Sequence, residues 1–257
     1  MARSGLPRSR PSSLPLALVA AVTAVALVPR RAQAGPPYVT DDPEPVEYRH
    51  WEIYLATMPD FTHAAATGTA PHLEVNYGVV TNVQLHTIVP LAYARPSGGP
   101  THYGPGDIEL GMKVRFVQER DLVPMVGTFP MLELPVGDQG KGLGTGRLHG
   151  LVPLWLQKSI GPWTTYGGAG YWWNPGTGNR SFWYFGWLVQ RRLSELATLG
   201  AELYYTTPDQ TDGGRNLRFN AGLVVDLTEY HHLLASGGRS IVGEHTFQGY
   251  LAYQLTL

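Results

Sequence analysis

Apolar and polar residues alternate with a period of two along most of this chain. The cleanest stretch is GDIELGMKVRF, residues 106–116. Ile108, Leu110, Met112, Val114 and Phe116 fall on one side, and Asp107, Glu109, Gly111, Lys113 and Arg115 on the other. A strand points successive side chains to opposite faces, whereas a helical period of 3.6 would mix the two sets. Trp51, Ile53 and Leu55 alternate in the same way with Glu52, Tyr54 and Ala56. Leu73, Val75, Tyr77 and Val79 alternate with Glu74, Asn76 and Gly78, and Val83, Leu85, Thr87 and Val89 with Gln84, His86 and Ile88. Ala197–Tyr205 repeats the pattern, as does Leu217–Leu227, where Arg218, Asn220 and Asp226 lie opposite the apolar set. In the final stretch, Thr246–Leu257, one face carries Phe247, Leu251, Tyr253, Leu255 and Leu257 and no residue is charged.

Leu122–Leu134, Leu148–Lys158, Trp163–Trp173, Phe182–Arg191 and His232–Arg239 are further candidate strands, which makes 12. The connectors after odd-numbered strands are long: Pro59–Pro71, Ala94–Pro105, Val136–Arg147, Asn174–Arg180, Thr207–Arg215 and Ser240–His245. Those after even-numbered strands are short. An even strand count with this connector asymmetry predicts an all-β fold, a 12-stranded antiparallel transmembrane β-barrel of the outer-membrane type. Its short turns would be periplasmic and its longer loops extracellular. A soluble sandwich gives no reason for such regular alternation. Pro124, Pro130 and Pro153 fall inside predicted strands and predict local bulges there.

Composition agrees. Only 15% of residues are charged, and the chain holds 31 Gly and no Cys, which excludes disulfides, thiol catalysis and thiolate metal sites. Residues 1–34 combine Arg3, Arg8 and Arg10, an apolar run from Leu14 to Val28 and Ala32-Gln33-Ala34. This is the pattern of a cleaved secretory signal peptide. Fourteen of the 19 basic residues and all 20 acidic ones lie in 35–257, a formal charge of −6. No basic footprint for nucleic acid is present. The expected organisation is signal peptide 1–34, an irregular Pro- and Asp-rich periplasmic lead 35–46, and the barrel 47–257. No stretch suits a membrane-spanning helix, so export to the bacterial outer membrane would rest on the strands.

The polar face supplies the lumen-lining candidates Glu52, Glu74, Asn76, Gln84, His86, Glu109, Lys113, Arg115, Glu202, Arg218, Asn220 and Asp226. Charges in a barrel lumen either line a water-filled path or form a salt-bridged plug, and the pattern leaves both open. Trp155, Trp163, Tyr166, Tyr171, Trp172, Trp173, Trp183, Tyr184, Phe185 and Trp187 read as an interfacial girdle, those turned inward offering an apolar path.

Other chemistry is weakly signalled. Gly137–Arg147 lacks the Gly-Lys-Ser/Thr order of a phosphate loop. Asp209 and Asp212 lack the remaining ligands of a calcium loop. The nine histidines offer no i, i+4 helical pair, so no metal and no cofactor is expected. Ser236, His232 and Asp226 contain the residue types of a hydrolytic triad, but no Gly-x-Ser-x-Gly elbow accompanies them. An enzyme, such as a lipid hydrolase barrel, is disfavoured.

GDIELGMKVRF (106–116), TFPMLELPVGD (128–138), PLWLQKSIGPWTTYGGAGYWWNPG (153–176), DLTEYHHLLASGGR (226–239) and the final LAYQLTL carry a resemblance across residues 35–257. They resemble a family of bacterial outer-membrane proteins described as transporters of a MetA-type phenol-degradation pathway. The resemblance implies a barrel and an uptake role, with no catalytic residues. Phe247, Leu251, Tyr253, Leu255 and Leu257 also resemble the C-terminal signal read by the outer-membrane assembly machinery, although that signal usually ends in Phe. The expected function is passive passage of small, hydrophobic or aromatic solutes through a barrel whose partners are outer-membrane lipid, lipopolysaccharide and the assembly machinery. Two alternatives stand beside it: a closed structural or adhesion barrel with binding loops, and a soluble periplasmic ligand-binding β-protein.

Overall fold

The computed structural model describes Met1 and residues 35–257, so the predicted signal peptide falls outside the described residues apart from Met1. Twelve antiparallel strands follow in sequence order, each paired to its neighbours. They are β1 (Trp51–Phe61), β2 (Ala65–Val80), β3 (Val83–Pro96), β4 (His102–Pro105 and Ile108–Val117) and β5 (Met125–Thr128 and Met131–Leu134). The rest are β6 (His149–Ile160), β7 (Trp163–Trp173), β8 (Phe182–Arg192), β9 (Ala197–Thr206), β10 (Asn216–Asp226), β11 (His231–Val242) and β12 (Phe247–Thr256). β12 closes on β1 in the register Ile53↔Leu255, Leu55↔Tyr253 and Thr57↔Leu251. Reciprocal bonds between the Trp51 and Leu257 backbones finish the seam. Closure leaves no unpaired sheet edge.

The period of two now has its physical meaning. Leu55, Leu85, Leu154, Leu203 and Leu251 are exposed on the outer surface, while their sequence neighbours are buried inside. An exposed apolar belt of this kind costs free energy in water and is stable in hydrocarbon.

The connector lengths differ from the expected alternation. Hydrogen-bonded ladders run through most of Pro59–Pro71, so β1 and β2 are joined by residues 62–64 alone. The turn after β4, residues 118–124, is longer than that loop. Only the loops 135–148, 174–181 and 207–215 remain extended at the end of the barrel opposite Leu257. Gly and Pro in these stretches marked bulges rather than loops, with register shifts near Met58 and His72.

Of the three prolines, Pro130 does interrupt β5, and Pro124 precedes its first half. Pro153 causes no bulge, because it pairs in register with Gly170. It faces the gap between the two halves of β5, where Thr128 Oγ1 donates to the Pro153 carbonyl at 2.6 Å.

Candidate functional site: the filled lumen

Residues 35–46 form no strand or helix, and they do not lie outside the barrel as a periplasmic lead would. They thread its interior. Thr40 and Asp42 are 0% exposed. The chain leaves the lumen past β2, where Tyr48 bridges Gly78. A Cβ on Gly78 would stand 1.9 Å from the Glu47 carbonyl, so only glycine permits the crossing. The physical reason for the departure is hydrogen bonding. An extended, Pro-rich segment carries unpaired backbone groups, and the inner wall supplies partners for them.

Two sets of wall residues hold this segment. On β9–β11, the Glu202 carboxylate accepts from the backbone N–H of Val39 (2.9 Å) and of Thr40 (2.7 Å). Asn220 Nδ2 donates to Glu202 Oε1 at 2.9 Å and fixes that carboxylate. Ser236 Oγ donates to the Pro37 carbonyl (2.6 Å), and the Tyr38 hydroxyl to the Gly222 carbonyl (2.9 Å). Beneath the segment the wall is made of inward glycines. A Cβ on Gly186 would meet Thr40 Oγ1 at 2.3 Å, and one on Gly200 would meet the Tyr38 hydroxyl at 2.5 Å.

On β3–β6 the grip is ionic. Lys113 Nζ lies 2.8 Å from Asp41 Oδ1 and 3.2 Å from Asp42 Oδ2. Arg115 approaches Glu44 at 3.8 Å while donating twice to Asn82 Oδ1. Gln157 Nε2 donates to Glu44 Oε2 (3.0 Å), and Gln84 Oε1 accepts from the Val46 N–H (2.8 Å). Burial raises the Asp42 carboxyl, against which the Lys113 ammonium pulls. Burial likewise raises Glu44, with Gln157 and Arg115 opposing.

Every lumen-lining candidate faces inward, and most are already paired. Asn76 Nδ2 donates to Glu74 Oε1, and His86 bridges Asn76 Oδ1 (2.6 Å) and Glu109 Oε1 (2.8 Å). Glu52 accepts from the Tyr54 hydroxyl. Arg218 reaches Gln248 Oε1 at 3.2 Å and Asp60 at 3.5 Å. Asp226 holds His232 Nδ1 at 2.8 Å, and His232 Nε2 lies 3.3 Å from Thr256 Oγ1. The hydroxyl near His232 is therefore that of Thr256, and Ser236 is engaged with Pro37 and Asn220 instead. Asp209 ties loop 207–215 to loop 174–181 through its backbone carbonyl, which accepts from Arg180 N.

The aromatic set divides by parity. Trp163, Tyr171, Trp173, Trp183, Phe185 and Trp187 are outward and exposed. Trp187 lies halfway along β8 rather than at an interface, so the outward set is not a simple girdle. Trp155, Tyr166 and Tyr184 are buried inside. Trp155 and Tyr184 pack with Phe129 and Tyr204, flanked by Met131 and Trp172. The Trp155 and Tyr184 rings meet edge to face at 5.9 Å, and Lys113 Nζ sits 5.0 Å over the Phe129 ring. Trp155 Nε1 and the Tyr166 and Tyr250 hydroxyls are buried without a hydrogen-bond partner in the protein.

A closed 12-stranded wall around an internal segment invites comparison with solved barrels. The structure is similar to the COG4313 outer membrane channel from Pseudomonas putida F1, with a TM-score of 0.70 and 15% identity over 88% of this chain and 100% of that one. It is also similar to the NanC porin (TM-score 0.57, 7% identity, 80% of this chain and 100% of that one). The KdgM porin follows at 0.51, with 10% identity over 79% and 98% of the two chains. At these identities the likeness shows a shared fold, the outer-membrane type of β-barrel. No family model matches the sequence, and no curated protein matches it.

The plug itself escaped the sequence reading, although a signal existed. Gly186, Gly200 and Gly222 occupy inward positions of consecutive strands, and so small an inner surface leaves room that some other segment must fill.

Proposed function

We propose that this protein is an outer-membrane channel for small aromatic solutes bearing a hydroxyl or carboxylate, closed at rest by residues 35–46. The observation that carries the reading is the internal segment itself. It is held by hydrogen bonds and ion pairs to side chains rather than by a strand ladder, so it can leave without unzipping the wall. Solute would enter between the loops and meet Phe129, Trp155, Tyr184 and Tyr204, which offer ring faces and polar edges. It would pass when Asp41, Asp42 and Glu44 release Lys113 and Arg115. The exposed apolar belt and the likeness to outer-membrane channels and porins support the membrane setting. The phenol-pathway resemblance supports the solute class.

The same segment favours a second reading, a permanently closed structural barrel. Liposome swelling with the full protein separates the two, using arabinose, glycine and 4-hydroxybenzoate as solutes. Swelling with hydroxybenzoate ahead of the others supports the channel. No swelling from folded protein, with or without a weakened plug, supports the closed barrel.

A further inference from the structure

Asp107 in the break between the two halves of β4, Glu133 of β5 and His149 of β6 converge at the loop end of the barrel, and one ligand atom of each lies within 4.8 Å of the others. Glu109, Glu133 and His149 are direct cross-strand partners across β4, β5 and β6, with Asp107 two residues before Glu109 on the same face. Like charges directly opposite each other in a sheet repel. Glu109 is compensated by His86, 2.8 Å away. Among the described residues no lysine or arginine pairs with Asp107 or Glu133.

The imidazole stands close to one of these carboxylates. His149 Nε2 lies 3.0 Å from Glu133 Oε2, and the nitrogen is shielded from solvent. An imidazole nitrogen and a carboxylate oxygen at this distance pair with each other when the ring is protonated, and the same two atoms converge as donors on a cation when it is not. Donors around a tetrahedral Zn2+, with bonds of about 2.0–2.2 Å, stand roughly 3.3–3.5 Å apart. The His149–Glu133 pair is already near that spacing, and an Asp107 oxygen lies within 4.8 Å of both.

Asp107 is oriented as a ligand needs to be. Its Oδ2 accepts from Thr145 N (2.6 Å) and Thr145 Oγ1 (2.8 Å), and Oδ1 accepts from Gly137 N (2.9 Å). A carboxylate has about four lone-pair positions, so one on Oδ1 remains. These bonds come from the loop 135–148 and act as an outer shell that fixes the carboxylate. Gly144 lets the loop close over it, since a Cβ there would stand 2.3 Å from Asp107 Oδ1. Leu143 anchors the loop by burying itself against Ala92 and Ala94.

We propose that Asp107, Glu133 and His149 bind a divalent first-row transition metal, of the Zn2+ or Co2+ class, and that the ion pins loop 135–148 across the mouth of the barrel. One imidazole and two carboxylates suit such ions better than Ca2+, which prefers an all-oxygen shell. The site stands apart from the plug, and its failure would leave the channel reading untouched.

The test is calorimetric titration of the full membrane-extracted protein in detergent with Zn2+, together with Co2+ absorption spectra. Wild type is expected to bind one ion per chain and to give the visible bands of Co2+ held by nitrogen and oxygen. His149→Ala and the isosteric Glu133→Gln should each weaken binding by at least about tenfold. His63→Ala should not; it removes one ring of the exposed His63–His245 pair (6.1 Å between centroids), which lies outside the site. Zn2+ should also slow trypsin cleavage after Lys141 in wild type and not in His149→Ala. No stoichiometric binding by folded wild type, or undiminished binding in both site variants, overturns the proposal. Because the wild-type Co2+ spectrum decides by itself, a variant that fails to fold does not rescue it.

Discussion

The walls β7–β12 and β3–β6 enclose the same lumen by different means. From β7 to β12 the ladders run almost unbroken, and the inner face is lined by glycines, Glu202 and Asn220, which hold Tyr38–Thr40 through neutral backbone groups. From β3 to β6 the ladder is interrupted at Gly106 and at Phe129–Pro130, and the inner face grips Asp41–Val46 with Lys113, Arg115, Gln84 and Gln157. The smooth wall acts as a seat and the broken wall as an electrostatic latch. An ion pair is lost all at once when one partner is neutralised, whereas a set of amide bonds weakens piecemeal. Opening is therefore expected to begin on the β3–β6 side.

Removing the latch should give the largest effect. Lys113→Met leaves the buried Asp42 and the half-buried Asp41 without their cation, a cost of about 3–5 kcal/mol that undocking would relieve. Bilayer conductance should rise sharply while the heat-modifiable gel mobility of the folded barrel persists. Leu203→Arg probes the wall without touching the plug. Leu203 pairs with Trp187, which lies halfway along β8, and a charge facing lipid at that depth costs about 2–4 kcal/mol. Urea unfolding in liposomes should show that loss with conductance unchanged.

On the seat, Glu202→Gln keeps one acceptor and loses the charge. It should weaken plug docking by about 1.5–3 kcal/mol, read as faster proteolysis within residues 35–46. Ser236→Ala removes one bond to Pro37 and should cost about 1 kcal/mol in the same assay. If Ser236→Ala opened the channel as readily as Lys113→Met, the distinction between seat and latch would collapse.

The contrast also explains what the sequence could reveal. β10 and β12 are legible because Leu217, Phe219 and Leu223, or Phe247, Leu251 and Tyr253, face outward without interruption. β5 is not, since Pro130 divides it and no period survives in two four-residue pieces. The inward face was readable as a set, yet its use was not. Glu202 and Lys113 look alike as lumen charges, and their partners lie more than 70 residues away in a segment with no strand pattern. The Asp107–Glu133–His149 cluster was invisible for a related reason. Ligands contributed by three strands in register share no fixed spacing along the chain, so the absence of an i, i+4 pair carried little weight.

The central claim is that residues 35–46 occupy the lumen at rest, and the absence of cysteine makes it directly testable. A single cysteine at Thr40, which is 0% exposed, would be challenged with a membrane-impermeant maleimide in the folded protein in liposomes. The account predicts that Thr40→Cys labels far more slowly than Asp212→Cys on an exposed loop, and that adding Lys113→Met brings the two rates together. Equal labelling of Thr40→Cys and Asp212→Cys with Lys113 intact would contradict it.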